Sequence, residues 1–229
     1  MVVFDQRHGP LPLYLLALTI LTGLVDAASY LGLGHVFVAN MTGNVVFLGF
    51  AAARITGFSV TASLVAIAAF MAGALCGGVI GRAKDGHRGR ILWIAIGMET
   101  CLAGAALVMI LERERMAADL SILLIIVTLS IAMGLQNSIV RRLAVPDLTT
   151  TVLTLTITGL AADRGAATGA VTRRFSSVIC MFAGAAAGGT LMLVLDLKAT
   201  LIAAFVLLLG VFVTAFGIRN STAAWTKIP

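Results

Sequence analysis

The sequence is short of the residues with which soluble proteins cover their surface. Charged side chains make up 11% of its 229 residues, less than half of the roughly 25% typical of soluble domains. The remainder is 60% hydrophobic, with a mean hydropathy of +1.06. That balance excludes a water-soluble globular domain and predicts an all-α integral membrane protein, a single transmembrane domain over residues 1–229 with its function inside the bundle. Histidine is equally scarce, at three residues, and no G-x-S-x-G, H-E-x-x-H or Walker lysine motif occurs. The expectation is therefore a protein that is not an enzyme and uses no cofactor or metal. Cys76, Cys101 and Cys180 all fall in apolar runs, where a thiol serves as a small packing residue rather than as a disulfide partner.

A formal charge of +6 raises the question of nucleic acid, but the cations cluster in short loops, the densest running from Arg82 to Arg90. Loop cations of this kind set membrane topology, so the expected partners are the lipid bilayer and a small solute, with no nucleic acid. A homo-oligomer is compatible with the composition. The N-terminal apolar run from Leu11 lacks an A-x-A-like cleavage site, and it reads as the first helix rather than as a signal peptide.

Eight apolar stretches can be marked: 11–34, 36–53, 58–81, 91–111, 120–140, 148–162, 175–195 and 199–218. A full crossing needs about 20 apolar residues. The second stretch is interrupted by Asn40, Thr42, Gly43 and Asn44, and the sixth is short and begins with Thr149, Thr150 and Thr151. If those two do not cross, Lys and Arg divide 12 to 4, with Arg54, Arg113, Arg115 and Lys198 on the poorer side and Lys84 and Arg164 among the richer set. If all eight cross, the division is 7 to 9, which no positive-inside bias produces. The prediction is six crossing helices plus two re-entrant half-helices, with both termini cytoplasmic.

The chain also repeats itself. Phe70 to Gly78 lies over Met181 to Gly189 at an offset of 111, and the same offset places Gly23-Leu24-Val25-Asp26 on Gly134-Leu135-Gln136-Asn137. The halves are then 11–111 and 120–218. Three crossings per half is an odd number, so the second half is expected to be inverted relative to the first, the plan of many secondary transporters. Gly73-xxx-Gly77 and Gly184-xxx-Gly188 have the small-xxx-small spacing for close helix packing in lipid, and are expected to hold the halves together.

Within this plan the polar residues concentrate where the half-helices begin. The first half-helix is expected from about Thr42 to Ala53, and the second from about Leu148 to Ala162 with Asp147 as its N-cap. Their N-termini, facing one another near the midplane, would offer unpaired N–H groups to an anionic or oxygen-rich solute. Asn40, Thr42, Gly43, Asn44, Gln136, Asn137, Thr149, Thr150 and Thr151 are the candidate binding residues. Two carboxylates lie within crossing helices, Asp26 and Glu99. An ionisable group at that depth is a functional-site hypothesis by default, and both are candidates for ion coupling. Arg141 and Arg142 read as topology anchors, one of them able to draw an anion towards the cytoplasmic entrance.

Three segments resemble a known family: Gly23 to Leu31 (GLVDAASYL), Val36 to Asn44 (VFVANMTGN), and Gly134 to Ser138 (GLQNS) with Val145 to Thr154 (VPDLTTTVLT). They are similar to the YoaK family, domain of unknown function 1275. The resemblance implies a small multi-helix protein of the bacterial inner membrane, and it carries no substrate or catalytic residues with it. The residues point to a secondary transporter coupled to protons or cations. A passive channel of the same architecture, or a non-transporting sensor or assembly protein, would use the same residues.

Overall fold

The computed structural model describes residues 7–83, 86–112, 118–151, 153–163, 165 and 167–227, and among these it is helical with no strand. Lys84, Arg113, Arg115 and Arg164 of the charge count lie outside the described residues. Among the described residues eight α-helices follow in order: α1 (Leu11–Gly32), α2 (Met41–Ala52), α3 (Val60–Ala83), α4 (Arg88–Leu111), α5 (Ala118–Leu143), α6 (Leu153–Ala162), α7 (Thr168–Val194) and α8 (Leu197–Ala215). Six are long and apolar enough to cross a membrane, and the two that are not are α2 and α6. At about 1.5 Å per residue, the 12 residues of α2 and the 10 of α6 cover roughly half of the hydrocarbon thickness or less.

The second of these helices starts later than its sequence suggests. Asp147 does not cap it: α6 begins at Leu153, and both Asp147 (φ 67°) and Thr150 (φ 59°) take the left-handed backbone conformation. Thr150 and Thr151 are bonded to Gln136 and Asn137 of α5, which holds this stretch of chain out of the helix.

Packing is organised by glycine. α1 lies along α7, and α3 lies along α5. A Cβ on Gly73 would fall on the carbonyl oxygen of Ile131, and one on Gly134 would fall on that of Phe70. On the other side of the bundle a Cβ on Gly184 would meet the carbonyl of Ile20, and one on Gly23 that of Met181. These backbones touch because no side chain intervenes, and in lipid such close van der Waals contact replaces the hydrophobic effect as the glue between helices. Both pairs run in register and in the same direction, Ile20 to Gly184 and Leu24 to Gly188 in one, Gly73 to Ile131 and Gly77 to Leu135 in the other.

Short connections turn α3 into α4 and α7 into α8, and α4 crosses α8 antiparallel, Gly97 meeting Phe212 and Gly104 meeting Phe205. It follows that α1, α4 and α7 point one way and α3, α5 and α8 the other. The buried apolar core lies chiefly among α1, α4, α5 and α8. Its base is closed by a polar clasp. The buried Arg88 donates to the Trp225 carbonyl (3.2 Å) and to that of Leu143, and lies 3.2 Å from His8 Nδ1, so that both ends of the chain are fastened to α4 and α5.

Gly73→Ala and Gly184→Ala are each expected to destabilise the protein by about 1 to 3 kcal/mol, the range for overpacking. Gly210→Ala is the control, because a Cβ there meets nothing within 4 Å; unfolding of the purified proteins in mixed micelles measures the difference.

Candidate functional site

The chain between α1 and α2 is a run of turns and bends, and its amides have no helix to bond within. Asp26, inside α1 and 8% exposed, answers this: one carboxylate oxygen accepts from the Val38 N–H (3.2 Å) and the Ala39 N–H (2.9 Å). Asn44, fully buried in the second turn of α2, does the same for Phe37, accepting from its N–H at 2.9 Å and donating to its carbonyl at 2.6 Å. Asn40 is the N-cap of α2, its side-chain oxygen accepting from the Gly43 N–H at 3.2 Å. Gly43 is glycine because the Phe37 ring lies where its Cβ would be, at 2.6 Å. Three side chains thus fasten one irregular segment to the helices on either side of it.

The chain between α5 and α6 is fastened by different chemistry. Gln136, buried in α5, donates to the hydroxyls of Thr22 (3.0 Å) and Thr150 (3.3 Å), and its Oε1 has no partner among the described residues. Asn137 accepts from the Thr151 hydroxyl at 2.5 Å and donates to the Met133 carbonyl at 3.1 Å. From α7, Arg174 pairs with Asp147 (2.7 Å) and Asp163 (2.7 Å), while Arg173 donates to the Pro146 carbonyl at 3.2 Å. The Arg174 guanidinium lies across α6 at Gly159, where a Cβ would come within 2.7 Å of it. The arginines at the start of α7, read from the sequence as loop cations, therefore act inside the fold as anchors of α6 and its approach.

Two large cavities flank these segments. One, of about 770 Å³, is lined by the middle of α3 and the C-terminal end of α5, including Phe70, Leu75, Asn137, Arg141 and Thr149. The other, of about 720 Å³, is lined by the C-terminal half of α1 and the middle of α7, including Asp26, Tyr30, Gly43 and Met181. Because α1 and α5 point in opposite directions, the cavities lie towards opposite ends of the bundle. Asn40, Thr42 and Thr151 line both. The tip of α2 and the approach to α6 are the partition.

Of the sequence-predicted residues, the cavities bring together Asp26, Asn40, Thr42, Gly43, Asn137, Thr149 and Thr151. Asn44, Gln136 and Thr150 are at most 2% exposed, line neither cavity, and serve the bonds that shape the partition. Glu99 is elsewhere. It is 1% exposed, with Oε1 unpartnered among the described residues, and borders a small void of about 20 Å³ whose other walls are apolar residues of α1, α4, α5 and α8.

One feature of the site had no sequence signal. Tyr30, Phe37, Phe47 and Phe58 form a continuous stack at the mouth of the α1-end cavity, with successive ring centroids 5.1, 5.4 and 5.0 Å apart, and His35 meets Tyr30 edge-on at 5.2 Å. Aromatic residues in an apolar sequence read as lipid-facing or packing, and their spacing here follows neither a helix nor a strand period. They come from four elements of the chain and converge only in three dimensions.

Asp26→Ala is expected to leave two buried amides unsatisfied and to cost about 2 to 5 kcal/mol, and Asn44→Ala a similar amount. Asp26→Asn keeps an acceptor oxygen in place and should retain most of the stability, which the same unfolding measurement resolves.

Comparison with known proteins places residues 14–214 on the model of a family described as "Protein of unknown function (DUF1275)". A relative from Bacillus subtilis (strain 168), "UPF0700 transmembrane protein YoaK", is 36% identical over 151 residues, a match that covers 65% of this chain and 65% of the relative. No solved structure matches.

Proposed function

The chain belongs to the DUF1275 family of transmembrane proteins, which has no assigned activity, and from the geometry we propose that it is a secondary transporter of a small anionic or oxygen-rich solute. The observation that carries this reading is the pair of cavities at opposite ends of the bundle, divided by Asn40, Thr42 and Thr151. Such a partition is what an alternating-access protein needs: a site reached from either side, with a movable wall between.

In this reading the halves 11–111 and 120–218 are inverted repeats. Support comes from contacts that exchange when the halves are exchanged. Gly23 meets Met181 as Gly134 meets Phe70, and Gly73 meets Ile131 as Gly184 meets Ile20. The one-residue register holds further along, where a Cβ on Gly188 would lie 2.8 Å from the Leu24 carbonyl and one on Gly77 would lie 2.9 Å from that of Leu135. Each partner differs from its counterpart by the same 111 residues. The opposed directions of α1 and α5 fit a two-fold axis in the membrane plane. In the same reading α2 and α6 are re-entrant half-helices and both termini face the cytoplasm across a bacterial inner membrane, which the gathering of Lys and Arg at one end of the bundle supports.

Asp26 is the proposed coupling group. It is the carboxyl group that lines the α1-end cavity, and its counterpart in the second half is the neutral Asn137. Its carboxylate also holds the irregular segment that ends at the partition. A proton or cation arriving at Asp26 draws charge from the carboxylate to which the Val38 and Ala39 amides donate, so ion binding and movement of the partition share one side chain. Glu99, in its apolar void, is a second ionisable group at comparable depth, and its conversion to Gln tests whether it takes part.

Reconstituted into liposomes with an imposed pH gradient, the wild type should take up a member of a panel of small anions saturably and against its gradient. Asp26→Asn should lose accumulation while retaining exchange down the gradient. Ohmic current without saturation contradicts the transporter reading, and an Asp26→Asn protein that still concentrates its solute eliminates the coupling role.

A further inference from the structure

The α5-end cavity differs from its counterpart in charge. Arg141 is its cationic lining residue, whereas the α1-end cavity is lined by the carboxyl group of Asp26. Arg141 and Arg142 are neighbours in the sequence, yet the fold treats them differently. Arg142 lies against Gly81 and donates to its carbonyl oxygen at 3.2 Å, so its guanidinium is committed to joining α5 to α3. Arg141 is exposed into the cavity, one helical turn beyond Asn137, with Ser138 on the same wall. At i and i+4 on one helix face, Asn137 and Arg141 address the same space.

Beside this polar strip the lining is apolar, with Phe70, Met71 and Leu75 from α3 and Val145 and Leu148 from the α5–α6 connection. A cavity of about 770 Å³ with one cationic side chain and an apolar neighbouring wall suits a ligand with a charged head and an uncharged body. Resting on the transporter reading for its direction of use, we propose that this cavity binds an amphipathic monocarboxylate. Its carboxylate is held by the Arg141 guanidinium in a two-pronged pair, with Asn137 and Thr149 beside it. Its body lies against Phe70, Met71 and Leu75. Arginine is the residue for this task because its planar fork matches the two carboxylate oxygens, which a lysine does not. Small inorganic anions leave the apolar wall uncovered and bind weakly. The same guanidinium would also attract a lipid phosphate, and the experiment separates the two.

The test is equilibrium binding to purified protein in neutral detergent, which is independent of any flux. Cinnamate is the probe, with uncharged cinnamamide and acetate, which lacks the aromatic body, as comparisons and thermal protection or equilibrium dialysis as the readout. Cinnamate is expected to bind saturably and cinnamamide and acetate at least tenfold more weakly. Arg141→Gln should weaken cinnamate by about ten- to hundredfold, the range for losing a charged hydrogen-bonding partner. Arg141→Lys should recover part of that loss, and Arg142→Gln should leave the affinity unchanged. Equal affinity for cinnamate and cinnamamide, or an unchanged cinnamate affinity in Arg141→Gln, overturns the proposal. So does an Arg141→Gln protein that loses only its protection by phosphatidylglycerol, which would assign Arg141 to the membrane surface. If liposomes accumulate some other anion while cinnamate does not bind, this inference fails and the transporter stands; if cinnamate binds as described and nothing is accumulated, the reverse holds.

Discussion

An amide with no partner in a membrane interior costs several kcal/mol, and much of this structure follows from paying attention to where such amides fall. Helices satisfy their own backbone, but the segments before α2 and α6 are not helical. Each needs donors and acceptors brought to it by side chains. In the first half these are Asp26 and Asn44, which together engage the backbone of Phe37, Val38 and Ala39. In the second, Arg173 donates to the Pro146 carbonyl, while Gln136 and Asn137 hold the segment through the hydroxyls of Thr150 and Thr151 rather than through its backbone. The polar residues that look like a binding constellation are thus first of all the means by which irregular backbone is kept inside the bundle. Those that also line the cavities, Asn40, Thr42, Thr149 and Thr151, are what a solute would meet.

Helix contacts built on glycine set where those segments can go. Backbone touching backbone between α1 and α7 and between α3 and α5 leaves little freedom within each pair. Each pair joins one helix of the first half to one of the second. A relative movement of the two pairs would carry the α1-end cavity with one and the α5-end cavity with the other. The fastenings differ between the ends, an aromatic stack around Tyr30 and Phe47 at one and ion pairs from Arg174 at the other. Ion pairs of this kind weaken with salt where water reaches them, and stacked rings do not.

Much of this plan was legible in the sequence because it is written in side chains with distinct letters. Few charges and long apolar runs gave the six long helices, the interruption at Asn40 to Asn44 marked α2, and the glycines recurring 111 residues apart marked the contacts. Asp26 stood out for its depth. Its partners did not, because the amides of Val38 and Ala39 carry no letter of their own. The late start of α6 was hidden for a related reason: Thr150 in a left-handed conformation is rare for a β-branched residue, and nothing in a run of threonines announces it. Arg173 and Arg174 looked like loop cations, and their attachment to Asp147 and Asp163 depends on α6 folding back along α7.

The central claim is that α2 and α6 enter and leave from the same side, so that the second half is an inverted copy of the first. Single cysteines at the exposed positions Thr56, Arg90 and Ala167, in a variant lacking Cys76, Cys101 and Cys180, test it with a membrane-impermeant maleimide on intact cells and on inside-out vesicles. The account predicts that the cysteine at Thr56 reacts only in intact cells, and that those at Arg90 and Ala167 react only in inside-out vesicles. Reaction at Ala167 in intact cells would mean that α6 crosses the membrane, and would contradict it.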